Sequence, residues 1–222
     1  MTRDELLVDL AGRVLALGDG RPRLVAIDGM SCVGKSTLAA ELAIIVGGAG
    51  RPVVPVSYDD FHQPREVRHR RDRLSAEGYL TDSYDPAALR RLVVDPLAHD
   101  APRNGDLSVV TASFDLAADE PVEPQPVQVP RDAVVIVEGE FLLAPDFDSA
   151  WDLAVLLVAQ PQALLARALE RDGDLGTAGQ VRELYLRRYL GAWALHEERH
   201  DPWPRADVVV DLTDPQAPRR LG

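Results

Sequence analysis

The sequence predicts an α/β domain in which a parallel sheet is covered by helices on both faces. Continuous apolar segments of strand length recur along the chain, and segments of helical character lie between them. Strands that are apolar throughout are typical of parallel sheets whose two faces are both buried. The chain has 222 residues, which is enough for one domain with a full core and short for two. We therefore expect a single domain over residues 1–222.

Five segments have the composition of buried strands, and a weaker one lies between the second and the third. The weaker segment, residues 108–114, is expected at a sheet edge. Residues 117–131 are rich in proline and acidic groups, which predicts a loop or a loose hairpin arm. The buried strands are predicted at residues 23–28, 52–57, 133–137, 153–158 and 207–212.

The helices are predicted from their starts and their spacing between the strands. Thr2 and Glu5 have the spacing of a capping box, so an amphipathic helix is expected from there to about Leu17. A break rich in glycine and aspartate, residues 172–179, divides the last helical region. The remaining helices are predicted at about residues 35–46, 86–99, 162–171 and 181–200.

The composition excludes several classes of function. The net charge of −12 and the pI of about 4.8 argue against DNA or RNA as the main partner, because nucleic-acid binding normally needs a basic surface. No apolar segment approaches the length of a membrane span. The acidic start lacks a signal pattern, and the single cysteine, Cys32, cannot form an internal disulfide. We therefore expect a cytoplasmic protein without a membrane partner.

A phosphate-binding motif follows the first buried strand. Residues 29–36 fit the pattern G-x-x-x-x-G-K-[ST] of the P-loop, or Walker A motif. Its glycines allow backbone N–H groups to surround an anion, and the following helix directs its positive end towards the phosphates. Lys35 is the only lysine of the chain, and an ammonium group acts there as a compact point charge that a guanidinium does not reproduce. The nucleotide-binding residues are predicted to be Gly29, Ser31, Cys32, Val33, Gly34, Lys35, Ser36 and Thr37.

Carboxylates follow two other buried strands. Ligands of parallel sheets bind outside the carboxyl ends of the strands, where Glu138 and the pair Asp59 and Asp60 are found. We expect Ser36 and Glu138 to hold Mg²⁺ beside ATP. A carboxylate after the second strand can accept the proton of an attacking hydroxyl group, so phosphoryl transfer to a small molecule is predicted.

The motifs together resemble the uridine kinase family and its relatives, the nicotinamide riboside kinases. The matching segments occur in the family's order and span residues 23–211, nearly the whole chain. The P-loop alone does not indicate a substrate, whereas the full set is specific to the family. The matching segments are residues 26–29 leading into the P-loop, 57–64 (SYDDFHQP), 82–86 (DSYDP), 114–115 (FD), 137–139 (VEG) and 206–211 (ADVVVD).

The resemblance implies a P-loop NTPase fold, a three-layer sandwich with a five-stranded parallel core and a small mobile lid. The lid is expected at about residues 172–180, and a flap or arm at about 62–80 and 107–131. Asp59 would be the general base, and Arg167 and Arg171 would neutralise the transferring phosphoryl group beside Lys35. The acceptor would contact Asp59, Phe61, His62, Tyr84, Asp85, which holds the ribose hydroxyls, and Phe114, which stacks near the base.

The chain also departs from the family pattern. Uridine kinases carry a histidine soon after the motif at 114–115, and this sequence does not. The lid lacks a second arginine cluster, for which Arg182, Arg187 and Arg188 are candidate replacements. A basic run over residues 65–73 is either a solvated helix face or a flap that contacts an acidic substrate or ATP.

Three functions therefore stay open at this point. The first is an ATP-dependent kinase of a nucleoside such as uridine or cytidine. The second retains the chemistry but uses nicotinamide riboside, pantothenate or another small alcohol as the acceptor. The third is a nucleotide-binding regulatory protein without an acceptor. The preference for ATP over GTP and the oligomeric state, with a homo-oligomer among the arrangements that the resemblance allows, are also left open.

Overall fold

The computed structural model describes residues 1–98 and 107–221. Wider π-helical turns, Arg90–Val94 and Tyr185–Tyr189, occur in addition to the α-helices. The helices are α1 (Arg3–Ala16), α2 (Lys35–Gly48), α3 (Arg65–Arg68), α4 (Ala76–Asp82), α5 (Pro86–Leu89), α6 (Pro161–Arg171), α7 (Ala178–Leu184) and α8 (Leu190–His200). The strands are β1 (Arg23–Gly29), β2 (Val53–Ser57), β3 (Leu107–Val110), β4 (Phe114–Asp115), β5 (Glu120–Pro121), β6 (Pro126–Val129), β7 (Val134–Gly139), β8 (Leu153–Val158), β9 (Val208–Asp211) and β10 (Arg219–Leu221).

The central sheet of the described chain has the strand order β10-β9-β8-β1-β7-β2. The five strands from β9 to β2 run parallel, and β10 pairs antiparallel with β9 at the edge. The predicted five-stranded parallel core is therefore confirmed, and β10 is an addition to it. A three-residue exposed strand has too little apolar character to be predicted from the sequence.

Helices cover both faces of this sheet. Along β1, Val25 and Ile27 pack with α1 and α2, whereas Leu24 and Ala26 face the opposite layer, which holds α4, α5 and α8. All four of these side chains are almost fully buried. Because both faces are covered, β1 is apolar from Leu24 to Ile27, and this explains why the sequence pattern predicted a parallel sheet.

The segments outside the central sheet differ in detail from the sequence prediction. The helix predicted at residues 86–99 is α5 followed by the π-helical turn and a short 3-10 segment, Asp95–Leu97, and His99 lies outside the described residues. Residues 117–131, predicted as a loop or loose arm, contain β5 and β6, which pair with β4 and β3 in two small ribbons. The β3–β6 pairing joins residues up to 22 positions apart, and β4 and β5 have only two residues each, so local composition did not show either ribbon.

The first half of the predicted helix 181–200 contains a π-helical turn. The α7 helix starts at Ala178, the π-helical turn follows, and α8 completes the segment. A small apolar cluster of Leu165, Ala168, Val181 and Tyr185 holds α6 and α7 together. In the described part of the chain, the structure contains no helix with both the length and the apolar character needed to cross a membrane.

Candidate active site

The P-loop joins the end of β1 to the start of α2. Cys32 has a φ of 61° and Gly34 a φ of 108°, and such left-handed residues turn successive N–H groups towards the inside of a loop. Gly34 lies at the N-terminus of α2, where no side chain caps the helix. The free N–H groups and the helix dipole are therefore available to an anion.

Gly29 is required by close packing at the start of this loop. Its φ is 153°, and a Cβ atom placed there would lie 2.3 Å from the carbonyl oxygen of Leu157. Asp28, which is fully buried, accepts hydrogen bonds from the N–H groups of Gly29 (2.7 Å) and Leu143 (2.8 Å). Burial raises the pKa of Asp28 to about 6, although these hydrogen bonds oppose the change. Asp28 thus connects the P-loop with the segment after β7.

The residues predicted to hold Mg²⁺ lie side by side. The Ser36 hydroxyl donates to Glu138 Oε2 (3.0 Å), and the Ser57 hydroxyl donates to Glu138 Oε1 (2.8 Å). Hydroxyl and carboxylate oxygens are the ligands that Mg²⁺ prefers. No group of three or more His, Cys, Asp or Glu side chains that could hold a metal occurs among the residues described. The site therefore fits a Mg²⁺ ion that takes its remaining ligands from water and substrate phosphates.

Sheet topology brings the acceptor-side carboxylate to the same place. In the parallel register, Glu138 of β7 lies opposite Ile27 of β1 and Ser57 of β2. The chain after β1 forms the P-loop, and the chain after β2 forms a short 3-10 turn that carries Asp59. The carboxyl ends of three adjacent strands thus gather Lys35, Glu138 and Asp59 at one edge of the sheet.

Asp59 belongs to a chain of hydrogen bonds that ends at Glu140. The Tyr84 hydroxyl donates to Asp59 Oδ1 (3.1 Å), the hydroxyls of Tyr84 and Tyr79 lie 3.1 Å apart, and the Tyr79 hydroxyl donates to Glu140 Oε1 (3.2 Å). Three hydrogen bonds join these four groups, whereas the two tyrosine hydroxyls supply only two protons. All three hydrogen bonds form together only when one of the two carboxyl groups carries a third proton.

Glu140 is a buried carboxyl group that the sequence analysis did not single out. Its exposed fraction is 5%, and burial raises its pKa to about 7 despite the opposing charge of Lys35. The Lys35 ammonium lies 3.9 Å from Glu140 Oε1 and donates to the Met30 carbonyl (3.0 Å). The available signal was its position two residues after Glu138, at the same strand end.

Two cavities meet at the P-loop. The first, which we call the loop cavity, has a volume of about 560 Å³ and is lined by residues 32–37 together with Arg3, Glu41, Arg167 and Arg171. The second, the Asp59 cavity, has a volume of about 240 Å³ and contains Asp59, His62, Glu138 and Glu140. The residues that line both are Cys32, Lys35, Ser36 and Arg171.

The two predicted lid arginines have different surroundings. Arg167 donates to the carbonyls of Leu212 (2.6 Å) and Thr213 (3.0 Å) and approaches the carbonyls of Cys32 and Val33 at 3.4 Å, so it holds the P-loop against the end of β9. Arg171 pairs with Asp172 (2.8 Å). That carboxylate keeps the pKa of Arg171 well above its usual range.

The candidate replacements for a second lid arginine are separated by the structure. For comparison, the predicted lid residue Arg171 borders both cavities and has a side-chain exposure of 60%. Arg187 forms an exposed ion pair with Glu183 (3.0 Å). Arg188, in contrast, is buried and lines the Asp59 cavity, whereas Arg182 lines neither cavity.

Some predicted acceptor residues lie outside the Asp59 cavity. Phe61 and Phe114 are buried in the protein interior. Asp85 caps α5 by accepting from the N–H of Ala88 (2.9 Å). Tyr84 is buried behind Asp59, whereas the ring of His62 borders the cavity, and burial lowers the pKa of His62. Tyr79 and Ser83 line the cavity although the sequence analysis did not select them.

The comparisons with known proteins rest on the fold. A protein proposed to be a uridine kinase, from Bacillus stearothermophilus, matches with a TM-score of 0.71 and 21% identity over 93% of this chain and 97% of the other. A proposed fructose transport system kinase from Silicibacter sp. TM1040 matches with a TM-score of 0.68 and 27% identity over 86% and 93%. D-glycerate 3-kinase from Cryptococcus neoformans var. grubii has a TM-score of 0.65 and 14% identity over 97% and 99%.

No family model matches the sequence, and no curated protein matches it either. The similar structures agree with the fold that the sequence motifs predicted. Identities at this level indicate a shared fold and leave the acceptor undefined. The chain therefore has the fold of the uridine kinase-like P-loop kinases.

Proposed function

We propose that this protein transfers the γ-phosphoryl group of Mg-ATP to a hydroxyl group of a small molecule. The observation that carries the proposal is the junction of the two cavities. Lys35, Ser36 and Arg171 border both the loop cavity and the Asp59 cavity, and Asp59 borders the second. A nucleotide bound on the P-loop would therefore direct its terminal phosphate towards the carboxylate that faces the acceptor.

The residues of the chain divide the work of the reaction between them. The N–H groups of the P-loop and Lys35 hold the phosphates, and Ser36 and Glu138 would hold Mg²⁺. The ion would neutralise negative charge on the phosphates. Asp59 orients the acceptor hydroxyl and accepts its proton, while Arg171 stabilises charge on the phosphoryl group in transit. We also propose that residues 172–180, which follow Arg171, act as the lid.

The test is acceptor-dependent consumption of ATP in the presence of Mg²⁺. The acceptors are uridine, cytidine, nicotinamide riboside and pantothenate, together with glycerol, D-glycerate, glycerol 3-phosphate, ribose and ribose 5-phosphate. A reaction without any acceptor is the control. We expect turnover that requires one class of acceptor. ATP binding without acceptor-dependent turnover across the whole set would contradict the proposal and favour a nucleotide-binding regulatory protein.

A pair of neighbouring variants tests the assignment of the base. Asp59→Asn should abolish acceptor-dependent turnover and leave the affinity for Mg-ATP nearly unchanged. Asp60→Asn is the matched control, because Asp60 is adjacent in sequence but does not line the Asp59 cavity. Equal losses in the two variants would contradict the role of Asp59.

A further inference from the structure

The Asp59 cavity adjoins a third cavity with a strongly basic lining. This cavity, which we call the arginine chamber, has a volume of about 510 Å³. The two share five residues, namely Arg68, His69, Leu116, Arg188 and Tyr189. The complete lining adds Arg65, Arg73, Leu175 and Leu184. The described lining thus contains four arginines and a histidine but no carboxylate, in a chain whose net charge is −12.

Arg188 is the most deeply buried cation of the chamber. Its exposed fraction is 4%. Among the residues described, the guanidinium donates only to neutral oxygens, namely the Arg73 carbonyl (2.9 Å), the Ser83 hydroxyl (3.2 Å) and the Arg68 carbonyl (3.5 Å). It also lies 4.9 Å from the centre of the Tyr79 ring. Within the described residues, no carboxylate lies within ion-pair distance of Arg188. A buried guanidinium without an anion is unfavourable, and burial accordingly lowers its pKa.

The neighbouring cations add to the same positive field. Arg68 pairs with Asp119 (2.6 Å) through one nitrogen, but its buried Nε atom has no hydrogen-bond partner within the described structure. The pKa of His69 is lowered first by burial and then by the charges of Arg188, Arg68 and Arg73. The carboxylate of Asp119 therefore neutralises only part of the positive charge around the chamber.

The position of the chamber separates it from the phosphates of ATP. Ser31, Cys32, Lys35 and Ser36 of the P-loop line the Asp59 cavity, and none of them lines the chamber. The chamber therefore extends the Asp59 cavity on the side away from the nucleotide. An anion held there belongs to the acceptor and not to the phosphoryl group in transit.

We propose that the acceptor is a hydroxyl compound that carries an anionic group, either a phosphate monoester or a carboxylate. The anion binds in the arginine chamber between Arg188 and Arg68 while the hydroxyl group faces Asp59. Guanidinium groups bind phosphate and carboxylate oxygens with paired, charge-assisted hydrogen bonds. This inference rests on the proposed function and specifies the acceptor that it leaves open.

The first experiment measures binding with pairs of compounds that differ only in charge. Isothermal titration calorimetry uses the full chain saturated with Mg²⁺ and a non-hydrolysable ATP analogue, so that the loop cavity is occupied. The probes are glycerol, D-glycerate and glycerol 3-phosphate, and ribose with ribose 5-phosphate. We expect the anionic member of at least one pair to bind about 10- to 100-fold more tightly than its neutral partner, as a charge-assisted contact allows. The glycerate and glycerol 3-phosphate arms distinguish a carboxylate from a phosphate.

Variants of the chamber then connect this preference to its residues. Arg188→Gln should abolish the preference for the anion and leave the affinity for the neutral partner and for the ATP analogue unchanged. Arg187→Gln is the matched control, since Arg187 is adjacent but forms an exposed ion pair with Glu183. If Arg188→Gln does not fold, Arg73→Gln serves instead. The side chain of Arg73 is exposed and lines the chamber, so this change should reduce the preference without unfolding the protein.

The outcomes separate this inference from the proposed function. Equal binding of neutral and anionic partners, or an equal effect of Arg188→Gln and Arg187→Gln, would overturn the inference. Turnover that requires a neutral acceptor would overturn it too, while supporting the proposed function. Anion binding that depends on Arg188 without any phosphoryl transfer would support the anion site and overturn the kinase activity.

Discussion

Replacement of Glu140 by glutamine should stabilise the protein, and the gain should increase with pH. The carboxyl group is buried, and its pKa rises from the ordinary value of 4.5 to about 7. Between these values the folded protein retains a proton that the unfolded chain has released, so the free energy of unfolding falls as the pH rises. Glutamine has the same shape and does not ionise, and its amide group can replace the carboxyl group in the hydrogen bond with the Tyr79 hydroxyl, as acceptor or as donor.

The size of the effect follows from the pKa of Glu140. One pKa unit corresponds to about 1.4 kcal/mol, so ionisation of the folded protein is about 3 kcal/mol less favourable than that of the unfolded chain. We expect Glu140→Gln to raise the free energy of unfolding by about 3 kcal/mol near pH 8, and by about 1 kcal/mol or less near pH 5. Asp28 also titrates in this range and its charge helps to raise the pKa of Glu140, so only the part of its titration that is independent of Glu140 cancels between the two proteins.

Urea unfolding followed by tryptophan fluorescence at the two pH values measures this difference. The control is Glu183→Gln, because Glu183 forms an exposed i,i+4 ion pair with Arg187 and such pairs contribute only about 0.5 kcal/mol. A gain that does not change with pH, or a loss of stability near pH 8, would refute the reasoning. A gain independent of pH would show that the pKa of Glu140 is not raised in the folded protein, and a loss near pH 8 would show that the Glu140 carboxylate contributes more through its contacts than its burial costs.

Three further predictions concern the P-loop and the acceptor carboxylate. Gly29→Ala should destabilise the protein by more than about 2 kcal/mol, because the new Cβ would lie 2.3 Å from the Leu157 carbonyl oxygen. Thermal unfolding compares this variant with the control Gly173→Ala, whose Cβ meets nothing within 4 Å. Equal losses of stability in the two variants would contradict the predicted clash with Leu157. Ser36→Ala should raise the Mg²⁺ concentration for half-maximal activity about tenfold, as loss of one oxygen ligand implies, and an unchanged Mg²⁺ titration would exclude Ser36 as a ligand. Asp59→Asn should reduce kcat by about 10²- to 10⁴-fold, the usual contribution of a general base, with the affinity for Mg-ATP measured separately; a loss confined to ATP binding would contradict the assignment.

Local sequence was sufficient for the P-loop and for the five parallel strands of the central sheet. The P-loop is contiguous in the chain, and its spacing alone specifies a turn with glycines and a following helix. Four of the five parallel strands, β1, β7, β8 and β9, are largely apolar because both of their faces are buried, and this signal is visible without a structure. The carboxylates that follow these strands could therefore be expected at one edge of the sheet, where Glu138 and Asp59 are found.

The acceptor side depended on contacts between distant parts of the chain. Arg188 and Arg68 are separated by 120 residues, and Glu140 meets Tyr79 across 61 residues. Burial depends on what packs around a charge, so the sequence did not show that Arg188 and Glu140 are buried while Arg187 is exposed. Equally, Phe114 and Asp85 matched the motif, and their burial or capping role became visible only with the fold.

The sequence by itself determined the fold class, the nucleotide loop and the strand-end carboxylates, because each is encoded by residues that are close together in the chain. Only the tertiary structure decided which side chains share a cavity, which arginine is buried without a carboxylate, and which carboxyl group is held away from water. Those properties arise from packing between α4, the π-helical turn Tyr185–Tyr189 and the strand ends. Burial strongly changes the energy of a charged group, and the position of a residue in the sequence does not show whether it is buried.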